Sequence, residues 1–234
     1  MLTKQIVAFI DLLGFSSIIR QNDEVRLQQV LGLLKQLADA VGEFNIAEIA
    51  KSEQRREVSL RPAISAFSDN IVFSFRLDRM RKLDIREHAA VHYLAHDVAR
   101  IFMRAIDFGC AVRGGIAVGD LFHEGRVVFG PALVEAYELE SNFAHEPRVL
   151  LSPEAAKLLK HDSYLVREDD GFDSLHFLRA AFDASANSLD WHAKTRARVE
   201  KECATLKDKG NLKGYQYWSA LLTRFDRLLP RREN

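Results

Sequence analysis

Two carboxylates sit where a carboxylate is costly. Asp11 lies near the end of an otherwise apolar run, Gln5 to Leu13, short enough to be a buried strand and closed by Gly14. Asp69 stands in a Ser68-Asp69-Asn70 turn between the apolar runs Leu60 to Phe67 and Ile71 to Phe75. An unpaired carboxylate in either place is unfavourable unless a cation or hydrogen-bond donors meet it. Magnesium and manganese take such hard oxygens and keep positions open for phosphate, so two converging aspartates suit a nucleoside triphosphate. Aspartates in strand-ending turns also serve as local hydrogen-bonding devices, so a pair of turn caps is the competing reading. Leu12, Leu13, Gly14 and Phe15 follow Asp11 and lead towards a helix, where their backbone N–H groups can form a small anion-binding nest.

The elements that must position these residues are legible as periodicity. Asp23 to Phe44 repeats apolar residues at helical spacing, and Ile46 to Ser59 is a polar connection. The runs on either side of Asp69 read as strand, tight turn, strand. Ile85 to Phe108 is helical in period. Cys110 to Val118 and Leu121 to Val128 read as two strands joined at Gly119-Asp120, a hairpin signal. Pro131 to Asn142 reads as a helix with Leu133, Val134, Ala136, Tyr137 and Leu139 inward, followed by a short strand, Val149 to Leu151, and a helix opened by Ser152-Pro153. From Ser185 to Leu229 the chain is charged and helical, with a break at Lys209-Gly210-Asn211 that predicts a helical hairpin.

Composition narrows the partners. The 33 basic residues balance 33 acidic ones, so no overall field is available to hold a nucleic-acid backbone or an anionic membrane. Cys110 and Cys203 form neither a zinc-ligand spacing nor a disulfide framework, which suits a reduced, cytoplasmic setting. The apolar length of Met1 to Ile10 is too short for a signal peptide, and no stretch is long enough for a spanning helix.

Phe9-Ile10-Asp11-Leu12-Leu13-Gly14-Phe15-Ser16 resembles the metal-binding strand and turn of class III adenylyl and guanylyl cyclases. Phe67-Ser68-Asp69 resembles that family's second metal-binding hairpin, Arg113-Gly114-Gly115-Ile116-Ala117-Val118-Gly119 its arginine-led strand, and Phe129-Gly130 through Leu139-Glu140-Ser141 its catalytic helix. The resemblance spans residues 5 to 152 and implies an α+β fold. The implied core is ferredoxin-like, a central, mostly antiparallel sheet flanked by helices, with a C-terminal helical extension. It implies a catalytic domain over 1–180 and the extension over 181–234. It further implies a homodimer with active sites at the interface and two-metal cyclisation of a nucleoside triphosphate. Asp11, Asp69 and the Leu12 main-chain carbonyl would hold two divalent cations, manganese or magnesium. Arg113 matches a triphosphate-binding arginine, against the alternative of a structural ion pair. Lys207, with Lys209 and Lys213 near Gly210, is similar to a lysine-glycine segment that reaches the terminal phosphate.

The departures from the family pattern bear on the base. Purine cyclases carry a lysine at the position of Ser65, and their partner base-reading position falls on Val127. The transition-state asparagine and arginine of the catalytic helix map to Val134 and Glu138, with Arg126, Arg148 and His123 as nearby polar residues. These substitutions, and the segment Ala144-His145-Glu146-Pro147-Arg148, resemble the pyrimidine cyclases of bacterial Pycsar antiphage systems. That resemblance implies conversion of UTP to cyclic UMP, or of CTP to cyclic CMP, read by a separate effector that halts the infected cell. Ser65, Tyr137 or main-chain groups would read the base. An inactive nucleotide-binding module and a template-dependent polymerase palm are the readings of other classes; the absence of a basic stripe weighs against the latter.

Overall fold

The computed structural model describes residues 1–20, 62–82, 87–160 and 163–228, with scattered positions between 24 and 35. The helix expected over Asp23 to Phe44 falls outside these apart from the scattered positions, and the connection expected over Ile46 to Ser59 falls outside entirely. Strand β1 (Thr3–Leu13) enters a six-residue helix α1 (Phe15–Arg20), and the β2 (Ala63–Phe67) and β3 (Asn70–Arg76) hairpin follows. Then come α2 (Leu77–Lys82), α3 (His88–Ala105), β4 (Ala111–Glu124), β5 (Val127–Phe129) and α4 (Pro131–Glu138). The last continues as a π-turn, Leu139–Phe143. Beyond it lie β6 (Val149–Leu151), α5 (Pro153–Leu158), β7 (Leu165–Arg167), β8 (Asp173–Leu175), α6 (Phe177–Ala184), α7 (Ser188–Asp208) and α8 (Leu212–Leu228).

Among the described residues the central sheet runs β2-β3-β1-β4-β6-β8-β7, antiparallel except where β4 meets β6, with β5 paired to β4. This is the expected α+β core with its C-terminal helices. Alternation sorts the two faces. Ile6, Ala8, Ile10, Phe73, Phe75 and Ile116 join Val91, Leu94, Val98 and Phe102 of α3 in the main core. Val199 and Cys203 of α7, with Trp218, Leu221 and Phe225 of α8, pack into that same core. The opposite face carries a smaller cluster of Val7, Val72, Ala117 and Leu121 beneath Ala132 and Ala136 of α4.

Glycines on β4 set how closely α4 approaches. A Cβ on Gly115 would lie 2.1 Å from the Ala136 carbonyl oxygen and 2.8 Å from the Leu139 Cβ, and one on Gly119 would lie 3.3 Å from the Ala132 Cβ. Gly119 therefore serves helix packing, and the hairpin expected at Gly119-Asp120 is wrong. β4 runs through both residues, pairing Gln5 with Gly119 and Lys4 with Asp120. The turn lies at Gly125, whose φ of +59° suits a glycine. The inward set expected for α4 also needs correction. Val134 and Tyr137 are 54% and 50% exposed, because the buried side follows Ala132, Ala136 and Glu140 at four-residue intervals. Strands β7 and β8 and helix α6 occupy a region to which the sequence reading assigned no element beyond the Ser152-Pro153 helix.

Candidate active site

Asp11 and Arg113 face each other across the β1–β4 pair, on the α4 side of the sheet. The Arg113 Nε–H donates to Asp11 Oδ2 at 2.8 Å. Glu140, in the π-turn and only 3% exposed, places Oε1 2.6 Å from the same nitrogen. One N–H cannot serve both acceptors well, and that Glu140 oxygen is buried without a hydrogen bond. The sequence alternatives for Arg113 were phosphate contact and structural ion pair; in this structure it makes the ion pair.

Asp69 is brought to this cluster by its backbone. The Leu12 N–H donates to the Asp69 carbonyl at 3.0 Å, tying the β2–β3 turn to the end of β1, and Asn70 Nδ2 lies 3.4 Å from Asp69 Oδ1. Ser68 holds φ +56° to make this turn, a left-handed conformation unusual for a residue other than glycine. At the other end of the strand, Gly14 takes φ +97° and its carbonyl accepts from Ser17 and Ile18 as α1 begins. The Leu12 and Phe15 side chains are buried in the main core, which leaves main-chain groups for any role at the site; the Leu12 N–H, expected in the anion nest, is instead taken by the Asp69 carbonyl.

The charges at the site act on one another. Burial raises the Asp11 carboxyl, Arg113 opposes the shift, Asp69 adds to it, and Lys213 lowers it again. Burial pushes Glu140 up to about 6, against the pull of Arg113 and with the push of Asp11 and Asp69. Burial works to lower the Arg113 guanidinium, but its bond to Asp11 and the charges of Asp11, Glu140 and Tyr217 raise it overall. Burial and both aspartates push the Cys110 thiol up to about 12, leaving it unreactive.

Of the three lysines singled out, Lys213 in the first turn of α8 is the one whose charge reaches Asp11. Its Nζ sits 5.9 Å from the Tyr217 ring centre, whereas Lys207 is exposed in the last turn of α7. Sequence reasoning missed Glu140 and Tyr217 as members of the cluster. Glu140 was detectable as a charge on the same helical stripe as Ala132 and Ala136; nothing local marked Tyr217.

A second polar group lies on the same face. Ser65 Oγ is 3.0 Å from His123 Nε2 and 3.2 Å from the Gly125 carbonyl, two acceptors that compete for its one proton. His123 Nδ1 meets Ser74 Oγ at 2.9 Å, Ser74 donates to Gln5 Oε1 at 2.9 Å, and Gln5 Nε2 donates to the Leu121 carbonyl at 3.0 Å. Because the single Ser74 proton goes to Gln5, His123 Nδ1 is assigned the proton, and Nε2 is an acceptor for Ser65. Burial lowers the His123 pKa, favouring the neutral ring. The Ser65 proton is thus held inward, and its lone pairs remain for any outward partner.

Tyr137 packs edge-on against Phe9, 5.4 Å between ring centres. Arg148 is buried and committed: Nη1 donates to Asp170 and Nη2 to the Phe143 carbonyl, each at 2.6 Å, so it fastens the end of the π-turn. Arg126 and Glu138 are exposed, as is Val127 on β5. Phe67, at the tip of β2, is 84% exposed, and Phe129 and Phe143 are exposed as well. A cleft of about 1210 Å³ between α3 and α7, lined by Arg104, Asp107, Trp191 and Arg198, includes none of the carboxylate cluster. No helix among the described residues is long and apolar enough to cross a membrane.

No protein-family model and no curated protein matches the sequence. Among solved structures, the adenylyl cyclase CyaB from P. aeruginosa is similar at a TM-score of 0.51 and 16% identity, over 75% of this chain and 94% of that one. Two structures of a bacterial light-regulated adenylyl cyclase score 0.40 and 0.39 at 12% identity, over 75% and 77% of this chain and 51% and 96% of theirs. The first of these bears on architecture. The chain has the fold of a class III nucleotidyl cyclase.

Proposed function

We propose that the chain is a pyrimidine nucleotide cyclase that converts UTP to 3′,5′-cyclic UMP and pyrophosphate. The observation that carries the reading is the convergence of Asp11 and Asp69, fastened by the Leu12-to-Asp69 backbone bond at the ends of neighbouring strands. Among the described residues no group of three or more His, Cys, Asp or Glu side chains is gathered as a metal centre. Two carboxylates and the Leu12 carbonyl are hard oxygen donors that leave positions for phosphate and water, which fits magnesium or manganese. When bound, two such cations acidify the ribose 3′-hydroxyl and neutralise the triphosphate.

The protein groups have separable tasks. Asp11, Asp69 and the Leu12 carbonyl hold the cations, and the N–H groups at Gly14 and Phe15 face the phosphates. Arg113 offers its guanidinium fork to phosphate oxygens once it leaves Asp11. Lys213, within electrostatic reach of Asp11, is better placed than Lys207 for the terminal phosphate. Ser65 offers a short acceptor where purine cyclases carry a lysine, which suits the N3–H of uracil or the amino group of cytosine; Tyr137 adds an exposed ring nearby.

The site needs a second wall. Phe67, Val127, Phe129, Val134 and Tyr137 are exposed apolar residues, the composition of a protein interface. A homodimer with active sites at that interface covers it. Cyclic UMP made in the cytoplasm would reach a separate effector and serve antiphage defence. Incubation with each of the four ribonucleoside triphosphates and manganese, with products identified by mass, tests the reading. Cyclic UMP is expected; cyclic CMP alone would reassign the base, and no cyclic product would leave an inactive nucleotide-binding module.

A further inference from the structure

Glu140 is a buried carboxylate that the cyclase reading leaves without a task. Its Oε1 has no hydrogen bond, yet lies 2.6 Å from Arg113 Nε, whose proton goes to Asp11 Oδ2 at 2.8 Å. The structure therefore holds one cationic donor between two carboxylate acceptors, with the proton on the one that a metal must use. A cation claiming Asp11 displaces that hydrogen bond, and an arginine buried beside a cation with no anion of its own would oppose binding. Glu140 removes this conflict because the Nε–H needs only to tilt from one oxygen to the other.

We propose that Glu140 is a positioning residue for metal occupancy: it receives Arg113 when a divalent cation takes Asp11, and returns it when the cation leaves. In the empty site Asp11 is thereby paired with Arg113, and in the filled one Arg113 stays oriented on Glu140, with no side chain crossing the core. Two features hold Glu140 at the required distance. The Gly115 contact with Ala136 and Leu139 seats the helix, and Arg148 bonds the Phe143 carbonyl at the end of the same π-turn. The proposal rests on the cyclase reading only in taking Asp11 as a metal ligand.

The test is manganese binding to the full-length protein without nucleotide, followed by electron paramagnetic resonance of free Mn²⁺. Glu140→Gln keeps volume and removes the receiving charge, so Mn²⁺ should bind about tenfold more weakly, the scale of one charge-assisted hydrogen bond. Arg113→Gln should bind Mn²⁺ more tightly than the unaltered protein. In the Arg113→Gln background, Glu140→Gln should then have little further effect. Equal weakening in both backgrounds would make Glu140 a direct ligand or a field charge and overturn the proposal, as would unchanged binding by Glu140→Gln. If either variant fails to fold, the Arg113 Nε–H of the unaltered protein gives the answer by nitrogen-15 NMR during Mg²⁺ titration. It should stay protected from solvent exchange at saturation, and loss of protection overturns the proposal. Metal coupling without any cyclic product would sink the cyclase reading and leave this one standing; cyclic product without coupling would do the reverse. Failure of the unaltered protein to bind Mn²⁺ at all would refute both.

Discussion

Asp97 lies on α3 with no exposed surface, and its Oδ2 has no hydrogen-bond partner. Arg100 approaches the other oxygen at 3.4 Å. Burial raises this carboxyl to about 7, with Arg100 opposing the shift. A carboxyl raised on folding favours the native state while protonated, so its contribution is full below about pH 3.8 and is lost as pH climbs towards 7. Asp97→Asn cannot titrate. Relative to the native protein it should therefore gain stability between pH 5 and pH 8, by roughly 2.5 kcal/mol from the linkage relation with these two pKa values. Any fixed penalty of burying the amide shifts both ends equally and drops out of that difference. His176, the N-cap of α6, is lowered to about 4 by burial and loses stability as pH falls below its unfolded value, but in both proteins alike. Urea unfolding followed through Trp191 and Trp218 fluorescence at each pH reads the effect. Parallel pH profiles for the two proteins would refute the claim that burial raises the Asp97 carboxyl on folding.

Asp11→Asn and Asp69→Asn should each abolish cyclic product while leaving the circular dichroism spectrum intact, since each removes a ligand charge without changing volume. Near-normal turnover in either would contradict the metal assignment. Gly115→Ala should destabilise the protein by about 1–3 kcal/mol in denaturant and lower turnover, because a Cβ 2.1 Å from the Ala136 carbonyl oxygen forces α4 away from β4. Phe67→Glu, at the exposed tip of β2, should yield a folded, inactive monomer in solution scattering; an active monomer would refute the interface.

Short-range physics made much of this molecule readable in advance. The apolar run around Asp11, the turn at Asp69 and the helical hairpin broken at Gly210 each follow from patterns a few residues long. The errors arose where one residue type serves two purposes. Gly119-Asp120 looked like a hairpin because glycine permits turns, yet Gly119 permits a helix to approach, and that purpose is invisible until α4 is placed above it. Val134 and Tyr137 were misassigned because exposed apolar residues on a helix give the same local signal as apolar residues facing a core. Ser65 was visible as a departure from a pattern, but its bond to His123 joins residues 58 apart, and no local spacing foretells that. Lys213 reaches Asp11, and Tyr217 reaches Arg113, only because α8 folds back over β4.

The seating of α4 on Gly115 has a consequence for how the protein responds to substitution. Where two elements meet through side chains, a substitution can be absorbed by a neighbouring rotamer and function declines by degrees. Here the strand meets a carbonyl oxygen, and neither side has a part that can give. A glycine-to-alanine change at this position is therefore expected to be met by displacement of α4 as a body, carrying the π-turn and Glu140 with it, rather than by a local rotamer change.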